Sequence, residues 1–265
     1  MPDEEARLVV LVGSLLTGCG KSSPRASSTR VKFHVAAGVK LSQVFPQVGT
    51  LFTKAHPGVT FKFVFAVADQ LVATIEQGKP ADIFASISSA QGDELVTAHK
   101  MNAYKVFCTD PLLLTTPEAN PAGITTLEDL RTKPVKLVVA EEESVTGTFT
   151  RMALVKLDTV LGPGYSAAVR SKVSSVEQGG SAVVEKVQSG QADAGFAFIS
   201  DVAGAHVKAI ALPAAAQAVS KCPIGVLRAS KNPAVAHQFV DFMLTPPARM
   251  LLGQAGFGLP PASSP

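Results

Sequence analysis

The sequence predicts an α/β fold in two lobes, each a mainly parallel sheet flanked by helices. Three observations carry this reading. From residue 31 onward, short apolar runs of strand length alternate with segments of helical periodicity. The alternation forms two series separated by one long apolar run at 106–117, and another strand-like run at 222–227 follows the second series. Parallel neighbours need a crossover long enough to hold a helix, so alternation of this kind implies parallel sheets covered on both faces.

VKFHVAAG (31–38) reads as a strand running into small residues. In KLSQVFPQVGTLFTKAH (40–56), Leu41, Val44, Phe45, Val48 and Phe52 fall on one helical face, and Pro57-Gly58 ends the helix. VTFKFVF (59–65) is a strand, DQLVATIEQ (69–77) a helix closed by Gly78, and ADIFAS (81–86) a strand before a helix at 91–100. After 106–117 come TLEDL (126–130), VKLVVAEE (135–142), a helix at 149–161, KVSSVEQ (172–178), a helix at 180–189 and AGFAFIS (194–200). CPIGVL (222–227) is a further strand, and helices follow at 233–245 and 246–257. The expected division is lobe 1 at 31–108 and 224–265, and lobe 2 at 109–223. Ligands in such folds sit at the C-terminal ends of the strands, where helix N-termini point inward.

The chain has 265 residues, 46% hydrophobic and 17% charged, enough for one large core or two modest ones. It has no Trp and two Tyr, which argues against a stacking surface for single-stranded nucleic acid. The net charge is +3 with Lys and Arg scattered, the pattern of a solvated surface and not of a nucleic-acid stripe. The five His stand far apart without metal-ligand spacing, and no G-x-S-x-G or H-E-x-x-H occurs. GSLLTGCGKSS superficially matches a phosphate loop but lacks a strand–helix frame.

Residues 8–18, LVVLVGSLLTG, are too short to span a bilayer, which takes about 20 residues, and fit the apolar core of a secretory signal. The stretch ends Leu16-Thr17-Gly18-Cys19, which resembles the lipobox of bacterial lipoproteins, where the Cys is lipidated and becomes the first mature residue. The segment before it departs from that pattern, with Asp3, Glu4 and Glu5 against Arg7. Residues 1–18 are thus expected to be a signal peptide and 19–30 a polar tether. Losing three acids and one Arg takes the charge from +3 to +5. The mature protein is expected outside the cytosol, held by acyl chains. Cys108 and Cys222 remain, either bridged or as two buried thiols.

Beyond these features, the chain resembles the molybdate-binding proteins of ABC importers. The carrying residues are Ala36-Ala37, His56-Pro57-Gly58-Val59, IEQGKPADIFAS (75–86), Asn120-Pro121, LEDL (127–130), GQADAGFAFISD (190–201), PIGVL (223–227) and GFGLP (256–260), in order and across almost all of 31–260. The resemblance implies the type II periplasmic-binding-protein fold and capture of a tetrahedral oxyanion, molybdate or tungstate, between two lobes. It also implies delivery to a membrane permease with a cytoplasmic ATPase, by a monomer that is not an enzyme and carries no cofactor. Two other readings stay open: a binding protein for a different solute, and an interaction module on the same fold.

In the family, backbone N–H groups at helix N-termini and a few hydroxyls hold the anion, consistent with the orphan donors and partial positive charge found there. Carried over position by position, a family Ser becomes Lys40, the Ser run becomes Val67-Ala68-Asp69, and a family Tyr becomes Phe198. Val145-Thr146-Gly147 and Gly180 supply the second lobe's positions. Three lost hydrogen bonds to a charged ligand, at about 1.5–3 kcal/mol each, would cost on the order of 5–9 kcal/mol. Lys40 is open to three roles: pairing with an oxyanion, pairing with Asp69 across the cleft, or facing solvent. Asp69 itself is an ordinary choice for a helix N-cap. Ser86 and Thr146 are the remaining nearby hydroxyls.

Overall fold

The computed structural model describes residues 31–260; the expected signal, the tether and Cys19 lie outside them. The first half of the sheet is built on β1 (Val31–Gly38), flanked in parallel by β2 (Val59–Ala66) and β3 (Ile83–Ala85). The second half has β5 (Leu137–Ala140) at its centre, parallel to both β6 (Val173–Glu177) and β7 (Ala194–Phe198). Two antiparallel strands join the halves. The first part of β4 (Lys105–Pro117) pairs with β9 (Val219–Val226), which also pairs with β3. The later part of β4 pairs with β7 and with the edge strand β8 (Val207–Ala211). The order is β2-β1-β3-β9-β4-β7-β5-β6, with β8 beside β4.

Helices α1 (Phe45–Ala55), α2 (Ala68–Glu76), α3 (Ser89–Thr97), α9 (Pro233–Phe242) and α10 (Pro246–Gln254) belong to the first half. The second half carries α4 (Asp129–Thr132), α5 (Val145–Val160), α6 (Tyr165–Arg170), α7 (Gly180–Gln188) and α8 (Ile199–Val202). The hydrophobic clusters divide in the same way. Two draw on residues 33–108 and 222–257, and two on 112–218. In the first half, Phe52 and Phe61 both pack on Phe239, with ring centroids 5.3 and 4.9 Å apart.

Several boundaries differ from the sequence reading for local reasons. The first helix begins at Phe45 and not at 40, because Pro46 occupies a first-turn position where its missing N–H costs nothing; a 3₁₀ turn (Val39–Leu41) precedes it. All five residues of its apolar face, Leu41 included, are nevertheless buried. Helix α5 begins at Val145, four residues before the expected start, because Ser144 accepts a hydrogen bond from the Gly147 N–H (3.0 Å). The strand expected to run to 200 stops at Phe198, where the Asp201 carboxylate accepts the Phe198 N–H (3.1 Å) and turns the chain into α8. The elements α6, α8 and β8 have no counterpart in the sequence reading.

Cys108 and Cys222 face each other on the joining strands and form a disulfide, with Cα atoms 5.1 Å apart. Both are fully buried in the first half's core.

Candidate functional site

A cavity of about 410 Å³ lies between the two halves, at the C-terminal ends of the parallel strands. Gly38 and Lys40 at the end of β1, Ala66–Asp69 at the end of β2, and Ser86 and Ser88 after β3 form one wall. Ser144 and Thr146 after β5, with Gly179, Gly180 and Ser181 after β6, form the other.

Four helices begin at this cavity, and their N-termini fall into two kinds. Those of α3 and α5 are capped by the chain itself: Ser88 accepts from the Ala90 N–H (3.4 Å) and Ser144 from the Gly147 N–H. Those of α2 and α7 have no side-chain cap, since their cap positions are Val67 and Gly179. Orphan N–H groups at an uncapped helix start need a partner from water or a ligand, and the helix dipole favours an anion there. The two uncapped ends come from opposite halves.

Lys40, Ala68, Asp69, Thr146 and Gly180 all line the cavity. Gly147 does not. Its N–H is taken by Ser144, it borders a separate cavity of about 220 Å³ beside Arg151 and Arg170, and a Cβ there would collide with the Glu141 carbonyl. Phe198 does not reach the cavity either. It is fully buried in the second half's core, edge-on to Phe149 at 5.3 Å.

Lys40 does not pair with Asp69. Its ammonium pairs with Oδ1 of Asp201, from α8 of the opposite half, and sits 5.7 Å from the Phe198 ring centroid. Asp201 is a fully buried carboxylate that needs a cation, whereas Asp69 is exposed at the rim and accepts from Gln91 Nε2 (2.8 Å). Asp69 is also not the cap of α2 but a residue of its first turn.

The family described as bacterial extracellular solute-binding protein matches residues 33–258. The chain belongs to this family. It is 31% identical over 253 residues to the molybdate-binding protein ModA of Mycobacterium tuberculosis, covering 92% of this chain and 93% of the relative. It is 23% identical to a Bacillus subtilis protein described as an ABC transporter substrate-binding lipoprotein, with coverage of 92% and 93%. Among solved structures, the substrate-binding domain assigned to a molybdenum ABC transporter of Clostridium difficile superposes with a TM-score of 0.77 at 23% identity, covering 86% of this chain and 99% of that one. The periplasmic molybdate-binding protein of Azotobacter vinelandii superposes at 0.65 and 17% identity, covering 86% and 99%. These two share the two-lobed α/β architecture.

The sequence reading missed the charged centre at the root of this solute-binding protein's cleft. Asp201 Oδ1 also accepts from Ser181 Oγ (2.9 Å). Beside it, fully buried Asp110 on β4 accepts from the Ser200 N–H (3.1 Å) and the Ser200 hydroxyl (2.6 Å). Burial pushes the Asp110 carboxyl up to about 6; the Ser200 hydrogen bonds and the Lys40 charge oppose this only in part. The one local signal was Asp201 itself, an acid two residues beyond the apolar run that ends at Ile199. Among the described residues, no cluster of His, Cys, Asp or Glu is placed to hold a metal ion.

Proposed function

We propose that the protein is the binding subunit of an ABC importer and that its cleft takes molybdate, tungstate or a similar tetrahedral oxyanion. One observation carries this reading: the uncapped N-termini of α2 and α7 face a shared cavity from opposite halves, with Lys40 on its wall. Backbone donors and helix dipoles on both sides suit an anion that draws the halves together. The name of the mycobacterial relative supports the same ligand class. The protein acts by capture and delivery, as a monomer handing its ligand to a permease and its ATPase. The lipobox-like LTGC supports export and anchoring through Cys19.

Calorimetric titration of the purified protein with molybdate, tungstate, sulfate and phosphate tests the reading. Micromolar or tighter molybdate binding is expected; no heat with any of the four sinks it.

A further inference from the structure

The buried carboxylate of Asp201 occupies a position that suits an anion. It is fully buried and touches three donors: the Lys40 ammonium, the Ser181 hydroxyl and the Phe198 N–H. It also lies against the start of α7, so close to Gly180 that a Cβ there would collide with Oδ2. A cation, a hydroxyl and an uncapped helix N-terminus are the features an oxyanion in the cavity would use; Asp201 takes the first two and packs against the third from behind. Asp201 does not line the cavity; Lys40, Gly180 and Ser181 do. The one proton of Ser181 is committed to Asp201, so that hydroxyl is not a donor for a ligand.

We propose that Asp201 is an internal anion, a positioning residue that holds Lys40 across the cleft, neutralises it, and thereby sets the charge of the solute the cleft prefers. With Asp201 ionised, the pair contributes no net charge. The cleft then discriminates by dipoles and shape and does not act as a general anion trap. Removing the carboxylate exposes the full ammonium charge and favours doubly charged solutes over singly charged ones of the same shape. This inference rests on the oxyanion reading.

The test uses the full chain and two tetrahedral probes that differ in charge, molybdate (dianion) and perrhenate (monoanion). Affinities are measured by calorimetry for the unsubstituted protein, D201N, K40M and K40M/D201N, with melting curves to confirm folding. Coulomb energy scales with the charge of the solute, so a change of one unit charge at the site moves the dianion twice as far as the monoanion. A merely structural change moves both alike. D201N should raise the molybdate-to-perrhenate affinity ratio about tenfold or more. K40M, which leaves Asp201 unpaired, should lower it, and the double variant should return it towards the starting value. The two single variants shift the ratio in opposite directions, so either one suffices if the other does not fold. A ratio unchanged in the folded single variants overturns the proposal. If the unsubstituted protein binds neither probe but D201N binds molybdate, the internal anion stands and the oxyanion reading of the native cleft falls. If no form binds either probe, both fall.

Discussion

Replacing Asp110 with Asn should change how the stability of the protein depends on pH, in a direction set by burial. The carboxyl ionises near 3.8 in the unfolded chain and near 6 in the folded one, because the strand that carries it is dry and the ionised form is poorly solvated. A raised folded value means that the native state keeps its proton where the unfolded state has lost it. The stabilisation is therefore complete below about 3.8 and is lost as pH rises through about 6. The gap corresponds to about 3 kcal/mol in full, and to about 1.4 kcal/mol between about pH 5 and about pH 7.5. For a chain of this size, that smaller window is about 3–5 °C in melting temperature. Asn mimics the protonated carboxyl: it still accepts the Ser200 N–H, and the Ser200 hydroxyl can turn to accept from its amide. D110N should thus be more stable than the unsubstituted protein at about pH 7.5, by up to about 3 kcal/mol, and should lose the gain on acidification. Denaturant melts of both forms at the two pH values measure this, and subtraction removes the histidines and surface acids common to both. If D110N keeps the same pH difference as the unsubstituted protein, the assignment of that difference to Asp110 is refuted.

Two other perturbations have defined outcomes. The Cys108–Cys222 bond closes a segment of 114 residues, so reduction should cost about 5 kcal/mol through the entropy regained by the unfolded chain and lower the melting temperature by on the order of 10 °C. In a C19A chain, two free thiols titrated after denaturation without reductant would contradict the bridge. Gly180→Ala drives a methyl into the Asp201 carboxylate and crowds Thr146 Oγ1 at 3.0 Å, so it should weaken molybdate binding at least about tenfold and lower the melting temperature by a few degrees; an unchanged affinity would show that the packing of Asp201 against α7 does not shape the cleft.

Much of the scaffold was legible because its periodicities are strong. The apolar face at Leu41, Val44, Phe45, Val48 and Phe52 and the strands VTFKFVF and AGFAF announce themselves without partners. What escaped was short or held by a contact from elsewhere. The edge strand β8 pairs only with β4, and α6 is six residues long, too brief for a periodic pattern to rise above its surroundings. The start of α5 depended on recognising Ser144 as a cap, and the end of β7 on Asp201 reaching back to the Phe198 N–H.

The cavity was partly legible for the same reason. Lys40, Ala68, Asp69, Thr146 and Gly180 stand at strand-to-helix junctions, and a parallel sheet brings such junctions to one end. Gly147 and Phe198 fall outside the cavity because the Ser144 cap takes the Gly147 N–H and because Phe198, the last residue of β7, turns its ring into the core.

The sequence by itself determined the two-lobed α/β plan, the family and most of the strand-to-helix junctions that line the cavity, since these follow from local pattern repeated along the chain. Only the tertiary structure decided the charge balance of the cleft. Lys40 and Asp201 are 161 residues apart, and nothing local links them. They meet because β4 and β9 bring the two halves together, and a buried carboxylate holds the cation that folding places within reach.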